Sequence, residues 1–235
     1  MSKQFSVIVI DPPYEFGDKL KHSDVKRGAC ANYPTMSISE ITTLPVKAIA
    51  DPTGCLLALW VPSSLLQEGL DIMKAYGFQQ KQTYIWVKTK KEPLKELRVN
   101  AIKFIKSACN IENESDFKLR DYLNDLNEVF SLHKLSNVLS FFMGHTFRQT
   151  HEICLIGINS NGIYKKLKNK SQRSVSFASN LKHSAKPEAL QDSLEIMFPD
   201  ANKIEIFARR ERDGWTCLGN EVGTKEDIRE SMKNL

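Results

Sequence analysis

Asp11-Pro12-Pro13-Tyr14 follows directly on Val7-Ile8-Val9-Ile10, a run of apolar strand formers near the start of a 235-residue chain. Proline fixes its own φ and restricts the residue before it, so the tetrapeptide is stiff. It can hold the Asp11 carboxylate and the Pro12 carbonyl as acceptors at set positions, with Tyr14 adding a flat ring. Two acceptors beside an aromatic plate suit an amino group on a planar heterocycle, both of whose N–H bonds are gripped while the ring stacks. The chemistry that needs such a grip is methylation of an exocyclic amine, whose lone pair is delocalised into its ring. Drawing both hydrogens out of the plane frees that lone pair for in-line attack on a sulfonium methyl, with positioning and charge stabilisation supplying the rate. Asp11 need not be a strong base, because the amine becomes acidic only once methylated. An ordinary strand-ending turn accounts for the same four residues, so the rest of the chain must decide.

Such a loop has to sit at the tip of a strand, and in an open parallel sheet the ligand crevice lies beyond the C-terminal strand ends. Continuous apolar character over 7–10 and in "LLALWV" at 56–61 predicts strands covered on both faces. "YIWVK" at 84–88, "ICLIGI" at 153–158, "KIEIF" at 203–207 and 215–218 read as further strands. Between them, Ser37 with Glu40 forms a capping box that opens a short helix over 37–44, ended by Pro45. Leu65, Leu66, Leu70 and Met73 give helical spacing over 62–76, stopped by Gly77, and 186–198 reads as another helix. A basic loop follows 158. The alternation predicts an α/β, mostly parallel, doubly wound sheet in a single domain spanning 1–235, with a helical insertion at about 91–142.

The blocks "NYPTMSISEITTLPV", "LALWVPSS", "YIWVKT", "GHTFRQTHEICLIG", "SAKPEALQDSLEIMFP" and "KIEIFARRERDGWTCLGNEV", in that order, resemble the MT-A family of adenine-N6 methyltransferases. The family is typified by the catalytic subunit of the eukaryotic messenger-RNA adenosine methyltransferase. The likeness covers nearly the whole chain except about 91–142. It implies a Rossmann-like methyltransferase fold, S-adenosyl-L-methionine as cofactor, and Asp11, Pro12, Pro13 and Tyr14 as the catalytic motif. Tyr14 stands where the eukaryotic subunit usually has Trp, and bacterial and phage DNA amino-methyltransferases often carry Tyr there. Cofactor contacts carried over are Lys186, Glu205, Arg209, Asn220 and Glu221, together with Asp11. Glu221 departs from the eukaryotic glutamine and agrees with bacterial relatives that have "GNE". Glu205, closing "KIEIF", is suited to accept bonds from both ribose hydroxyls. No G-x-G-x-x-G occurs, which fits a cofactor without a pyrophosphate.

Tyr33, Thr35, Lys88, His145 and Arg148 are candidate substrate contacts, with Asn32, Tyr33 and Thr35 on a loop over the crevice. His145, Arg148, His151 and Glu152 fit no common zinc pattern, and methyl transfer needs no metal. Basic residues gather at Lys88, Lys90 and Lys91, at Lys165, Lys166, Lys168, Lys170 and Arg173, and at Arg209, Arg210 and Arg212. They are candidate phosphate contacts around a flipped-base pocket. From Glu92 to Lys134 there are seven Lys or Arg and eight Asp or Glu. Such balanced charge with an apolar helical stripe suggests a homodimer or heterodimer interface, or a target-recognition subdomain.

With 41% hydrophobic and 26% charged residues, the composition is that of a globular protein. No apolar run is long enough to span a bilayer and no signal peptide is visible, so a cytoplasmic location without membrane attachment is expected. Five scattered cysteines without a C-x-x-C pair suggest neither a disulfide framework nor a zinc knuckle. The net charge of +5 permits a nucleic-acid partner without demanding one. The expected activity is adenine-N6 methylation of nucleic acid, DNA in preference to RNA because the chain is compact and carries no appended RNA-binding module. The resemblance implies adenine over glutamine and cytosine substrates, since relatives acting on those usually have Asn or Ser where this chain has Asp11. The competing class is a non-catalytic subunit of the same fold.

Overall fold

The computed structural model describes residues 3–15, 34–93, 95, 99, 138–141, 146–179, 185–223 and 227–235. Most of the expected insertion therefore lies outside the described residues, as do Asn32, Tyr33, His145, Cys30 and Cys109. Seven strands are present: β1 (Val7–Ile10), β2 (Leu56–Val61), β3 (Gln79–Thr89), β4 (His151–Ile158), β5 (Val175–Ser179), β6 (Lys203–Ile206) and β7 (Trp215–Leu218). They form one sheet in the order β5-β3-β4-β2-β1-β6-β7. β1 runs parallel to β2 and β6, β6 runs parallel to β7, and β4 is antiparallel to β2. This is a mostly parallel Rossmann-like sheet. By backbone packing the chain divides into two units, one of 1–85, 152–176 and 188–235, the other of 86–151 and 177–187.

In the first unit, β1 is buried at every position, as continuous apolar sequence requires. Because side chains alternate along a strand, Ile8, Ile10, Leu57, Leu59, Ile204 and Ile206 share one face. They enter a core with Ile41, Leu44, Ile72 and Met73. The helices over that core are α1 (Ile38–Thr42), α2 (Val46–Ile49) and α3 (Leu66–Ala75). The capping box of α1 is complete: Ser37 accepts from the Glu40 N–H, and the Glu40 carboxylate accepts from the Ser37 N–H at 2.9 Å. α3 begins later than the sequence pattern suggests, after a 3-10 turn at Ser63–Leu65. It ends at Gly77, whose φ of 84° is the left-handed value that favours glycine. α3 also lies close on β2, since a Cβ at Gly69 would meet a Val61 methyl at 2.6 Å.

At the N-terminal end of β1 and β2, Lys166 closes the short helix α4 (Ile163–Lys166) onto the sheet. Its ammonium donates to Asp51 at 2.5 Å, Ser6 at 2.9 Å and the Gly54 carbonyl at 3.2 Å. Burial pushes the Asp51 carboxyl up, and the hydrogen bonds from Lys166 and Thr53 outweigh it, holding the group well below the ordinary carboxylate range. One of the candidate phosphate-binding lysines is therefore consumed in a structural contact. Lys166 sits at the sheet end opposite Asp11.

β6 and β7 are parallel although only residues 207–214 join them. Parallel neighbours ordinarily need a longer crossover. Eight extended residues reach about 28 Å, roughly twice the length of a four-residue strand, so the loop can climb back without a helix. Arg212 pins it to α5 (Ala189–Met197) and its cap, donating to Glu195 at 2.6 Å, Asp192 at 2.5 Å and Glu188 at 3.3 Å. Trp215 adds a bond to Glu195 at 2.7 Å. These bonds hold the Glu195 carboxyl below its ordinary value and raise the Arg212 guanidinium further. The chain ends in α6 (Ile228–Lys233).

In the second unit, Trp86 donates to the Ala178 carbonyl at 2.9 Å, and the Lys88 ammonium lies 5.1 Å from the Trp86 ring centroid. β5 and α4 occupy what the sequence pattern reads as one basic loop. No helix among the described residues is long and apolar enough to cross a membrane.

Asp51→Ala is expected to cost about 1–2 kcal/mol in denaturant unfolding, by leaving the part-buried Lys166 ammonium and the Ser6 hydroxyl without their acceptor. Because the folded-state Asp51 carboxyl lies below its unfolded value, this contribution is present above about pH 4 and is lost as pH falls below it. Wild-type stability should drop through that window, and the drop attributable to Asp51 should be missing from the variant. Arg212→Met should lower stability by about 1–2 kcal/mol, a fall of roughly 3–6 °C in Tm for a chain of this size. A Tm unchanged by that substitution would refute the pinning of the β6–β7 loop.

Candidate active site

The paired registers set Ile10 of β1, Ile206 of β6 and Leu218 of β7 at one level. Each strand then runs out into a loop carrying candidate residues. Asp11 follows Ile10, Glu205 is the penultimate residue of β6 with Arg209 just beyond it, and Asn220 follows β7. The fold thus gathers Asp11, Glu205, Arg209, Asn220 and Glu221 at the C-terminal ends of three adjacent parallel strands, where such sheets bind ligands. Lys186, half-buried, stands at the end of the second unit, two residues before the cap of α5.

The Asp11 loop is fixed by its backbone. Its own N–H approaches the Ile206 carbonyl at 3.5 Å, the Tyr14 N–H donates to the Pro12 carbonyl at 2.9 Å, and the Met36 N–H donates to the Pro13 carbonyl at 2.8 Å. A parallel bridge joins Tyr14 to Met36, which places Thr35, half-buried, beside this loop. The Pro12 carbonyl is therefore already an acceptor for Tyr14, with a second lone pair remaining. Asp11 itself is only partly covered.

Tyr14 departs from the expectation of an open stacking plate. Its residue is 3% exposed and lies within the hydrophobic core. The hydroxyl donates to the Trp60 carbonyl at 3.1 Å at the end of β2. Burial, with the nearby Asp11 carboxylate adding to it, raises the phenol far above its ordinary value. In this structure Tyr14 anchors the loop and presents no open ring face. A Tyr side chain has a large apolar body that gains by burial, and the sheet end offers a carbonyl for its single polar atom.

Glu205 is partly buried on the sheet face opposite the main core. Burial pushes its carboxyl up, the Gln191 amide donating to it pulls down, and Asp11 pushes up again, with Arg210 and Arg212 opposing from further away. Asp11 and Glu205 are thus within electrostatic reach of each other. Immediately after β6, Phe207 takes a φ of 66°. A non-glycine residue there costs about 1–3 kcal/mol, and such strain persists where surrounding structure enforces it. Arg209 faces Glu221 at 3.7 Å, so two of the carried-over cofactor contacts meet, while Asn220 is exposed.

Among the candidate substrate contacts, Lys88 is 7% exposed and stacked on Trp86, which removes it from the open surface. Arg148 is exposed, beside Phe147 at 87% exposure. Tyr33 and His145 lie outside the described residues. Arg210 pairs with Glu188, so the third basic cluster is also largely neutralised within the fold. No group of three His, Cys, Asp or Glu placed to hold a metal occurs among the described residues. Gln191, adjacent to Leu190 and three before Leu194, is a buried polar residue on the stripe that α5 buries, which the sequence pattern does not single out.

The chain is similar to known proteins along most of its length. A model of the MT-A70 family matches residues 5–133 and 127–221. A probable N(6)-adenosine-methyltransferase MT-A70-like protein of Oryza sativa subsp. japonica is 25% identical over 98% of this chain and 25% of its own length. The type II methyltransferase M.MunI of Mycoplasma sp is 22% identical over 94% of this chain and 78% of its own length. The human N(6)-adenosine-methyltransferase catalytic subunit METTL3 is 22% identical over 93% of this chain and 28% of its own length. The chain spans about a quarter of the length of the plant relatives it matches. With the family's pattern running from the first strand to the loop after the last, the chain belongs to the MT-A70 family.

Proposed function

We propose that this protein is an adenine-N6 methyltransferase that acts on nucleic acid, and on DNA in preference to RNA. The observation that carries the reading is the common level at which β1, β6 and β7 end, with Asp11 on a stiff loop and Glu205 beside it. Methyltransferases of the MT-A70 family use S-adenosylmethionine as methyl donor, which supplies an electrophilic methyl on a cationic sulfur. The residues present suit that group: Glu205 is a sheltered carboxylate able to accept hydroxyl protons, and the two acids together favour a ligand that brings positive charge.

In this reading Asp11 and the free lone pair of the Pro12 carbonyl take the two amino hydrogens of the target base. They hold its nitrogen in line for attack and, once that nitrogen carries the new methyl, Asp11 receives the released proton. Tyr14 and the Met36 bridge keep the acceptors from moving, so that the geometry exists before the base arrives. The DNA preference is supported by Tyr in the fourth motif position and by the likeness to a type II methyltransferase over most of that protein's length. The partner reading is that the 91–142 insertion, with its balanced charge, mediates self-association.

Incubation with labelled S-adenosylmethionine and separate DNA and RNA pools, followed by nucleoside analysis, should give labelled N6-methyl-2′-deoxyadenosine. Asp11→Ala should lower that rate at least about 100-fold. Label appearing only in the RNA pool would reverse the substrate preference, and undiminished methylation by the variant would refute the role of Asp11. Deleting residues 93–139 should abolish self-association in sedimentation. A deletion variant that still associates removes the interface reading.

A further inference from the structure

We propose that Lys165, Lys168, Lys170 and Arg173 form a phosphate-binding track that holds the backbone of the nucleic-acid substrate. The inference rests on the reading of nucleic acid as the substrate, and names a surface that binds it. From Ile153 to Pro187 the chain carries seven Lys or Arg and no Asp or Glu, which leaves 26 basic and 28 acidic residues for all the rest. The positive net charge of the chain is therefore the charge of this one stretch. At the chain's own content of 28 acids in 235 residues, a stretch of this length would hold about four. An ordinary solvated face mixes both signs, whereas a run of one sign attracts a polyanion.

The backbone beneath these side chains is fixed. In α4, Ile163 is 1% exposed and Lys166 is spent on Asp51, so these two inward residues, three apart, leave Tyr164 and Lys165 on the outer side. A Cβ at Gly54 would meet the Ile163 nitrogen at 2.2 Å, so α4 is seated directly on the turn before β2. Beyond it, the Lys168 N–H donates to the Met197 carbonyl at the end of α5, and the Ile85 N–H donates to the Ser174 carbonyl, both at 2.8 Å. Between them the Ser171 N–H donates to the Asn169 side chain at 2.8 Å. The charged ends are uncommitted. Lys165, Lys168, Lys170 and Arg173 are all exposed, and among the described residues no acid pairs with any of them. Arg173 donates to the Ser171 carbonyl at 3.3 Å, which leaves its charge unneutralised. Arg210 and Arg212, by contrast, are paired with acids. Cations on an ordered backbone meet phosphates at a low cost in ordering. The eight steps from 165 to 173 reach at most about 28 Å, enough to face several phosphates of one strand.

The test measures anisotropy of two labelled DNA duplexes of unrelated sequence as the full chain binds them, over a range of salt concentrations. Lys165→Gln, Lys168→Gln and Lys170→Gln together should make the plot of log affinity against log salt shallower by about 3, and weaken binding at physiological salt at least about tenfold. Both duplexes should lose equally, because phosphate contacts carry no sequence information. Arg173→Gln alone should make the plot shallower by about 1. A control that removes the same charge elsewhere, Lys47→Gln, Lys74→Gln and Lys233→Gln together, should keep most of the wild-type slope. An unchanged slope in the first variant, an equal fall in the control, or wild-type binding to phosphatidylserine vesicles in place of the duplexes overturns the proposal. Wild-type protein that binds both duplexes with the expected slope yet transfers no methyl to adenine sinks the functional reading and leaves the track standing. Adenine methylation by wild type with no change of slope in the variants does the reverse.

Discussion

β1, four residues with no exposed side chain, is hydrogen-bonded between two parallel neighbours. A parallel ladder fixes the level of each strand relative to the next, and a one-residue slip would turn every side chain to the other face. Here a slip of β6 against β1 would bring Glu205 into the apolar core and push Ile204 and Ile206 out of it. Burial of those isoleucines on one face therefore holds Glu205 on the other. The positions of the acids at the strand ends are a consequence of apolar packing several residues away.

The same rigidity governs the loops. Asp11 cannot swing away, because proline rings follow it, Tyr14 is tied into the core and Met36 bridges the turn. On the neighbouring strand, the left-handed Phe207 and the Arg212 clamp force the chain to double back within eight residues. A flexible connection would lose much of the benefit of placing reacting groups in advance. The strain at Phe207 is tolerated because the ring is packed against the core and the loop is pinned beyond it.

Charge is distributed in a way that the net value hides. Of the basic residues that composition offers to a polyanion, Lys166 and Arg212 are turned inward onto acids, Lys88 onto a tryptophan, and Arg210 is paired with Glu188 at the surface. This explains what sequence could and could not reveal. Strands β1, β2 and β7 were legible to the residue, since continuous apolar runs between turn residues leave little choice. The capping box of α1 and the Gly77 stop were legible too, being local chemistry. β5 was not, because "VSFAS" is short and its pairing with β3 is made at long range. Tyr14 as an anchor was illegible for the same reason: its partner, the Trp60 carbonyl, is 46 residues away. The ion pairs of Arg212 depend on a loop doubling back that no periodicity announces.

A carboxylate buried at the end of a sheet with another acid in electrostatic reach is held in its charged form at a cost. Glu205 shows that tension directly: burial and Asp11 both oppose its ionisation, and the arginines nearby are engaged elsewhere. Apolar packing alone does not account for a carboxylate at Glu205, where burial works against its charge. A ligand bringing hydroxyl donors or positive charge to Glu205 would offset that penalty. A ligand that loses its charge on reaction would then be held less tightly than the one that entered, and the electrostatics that favour binding would also favour release.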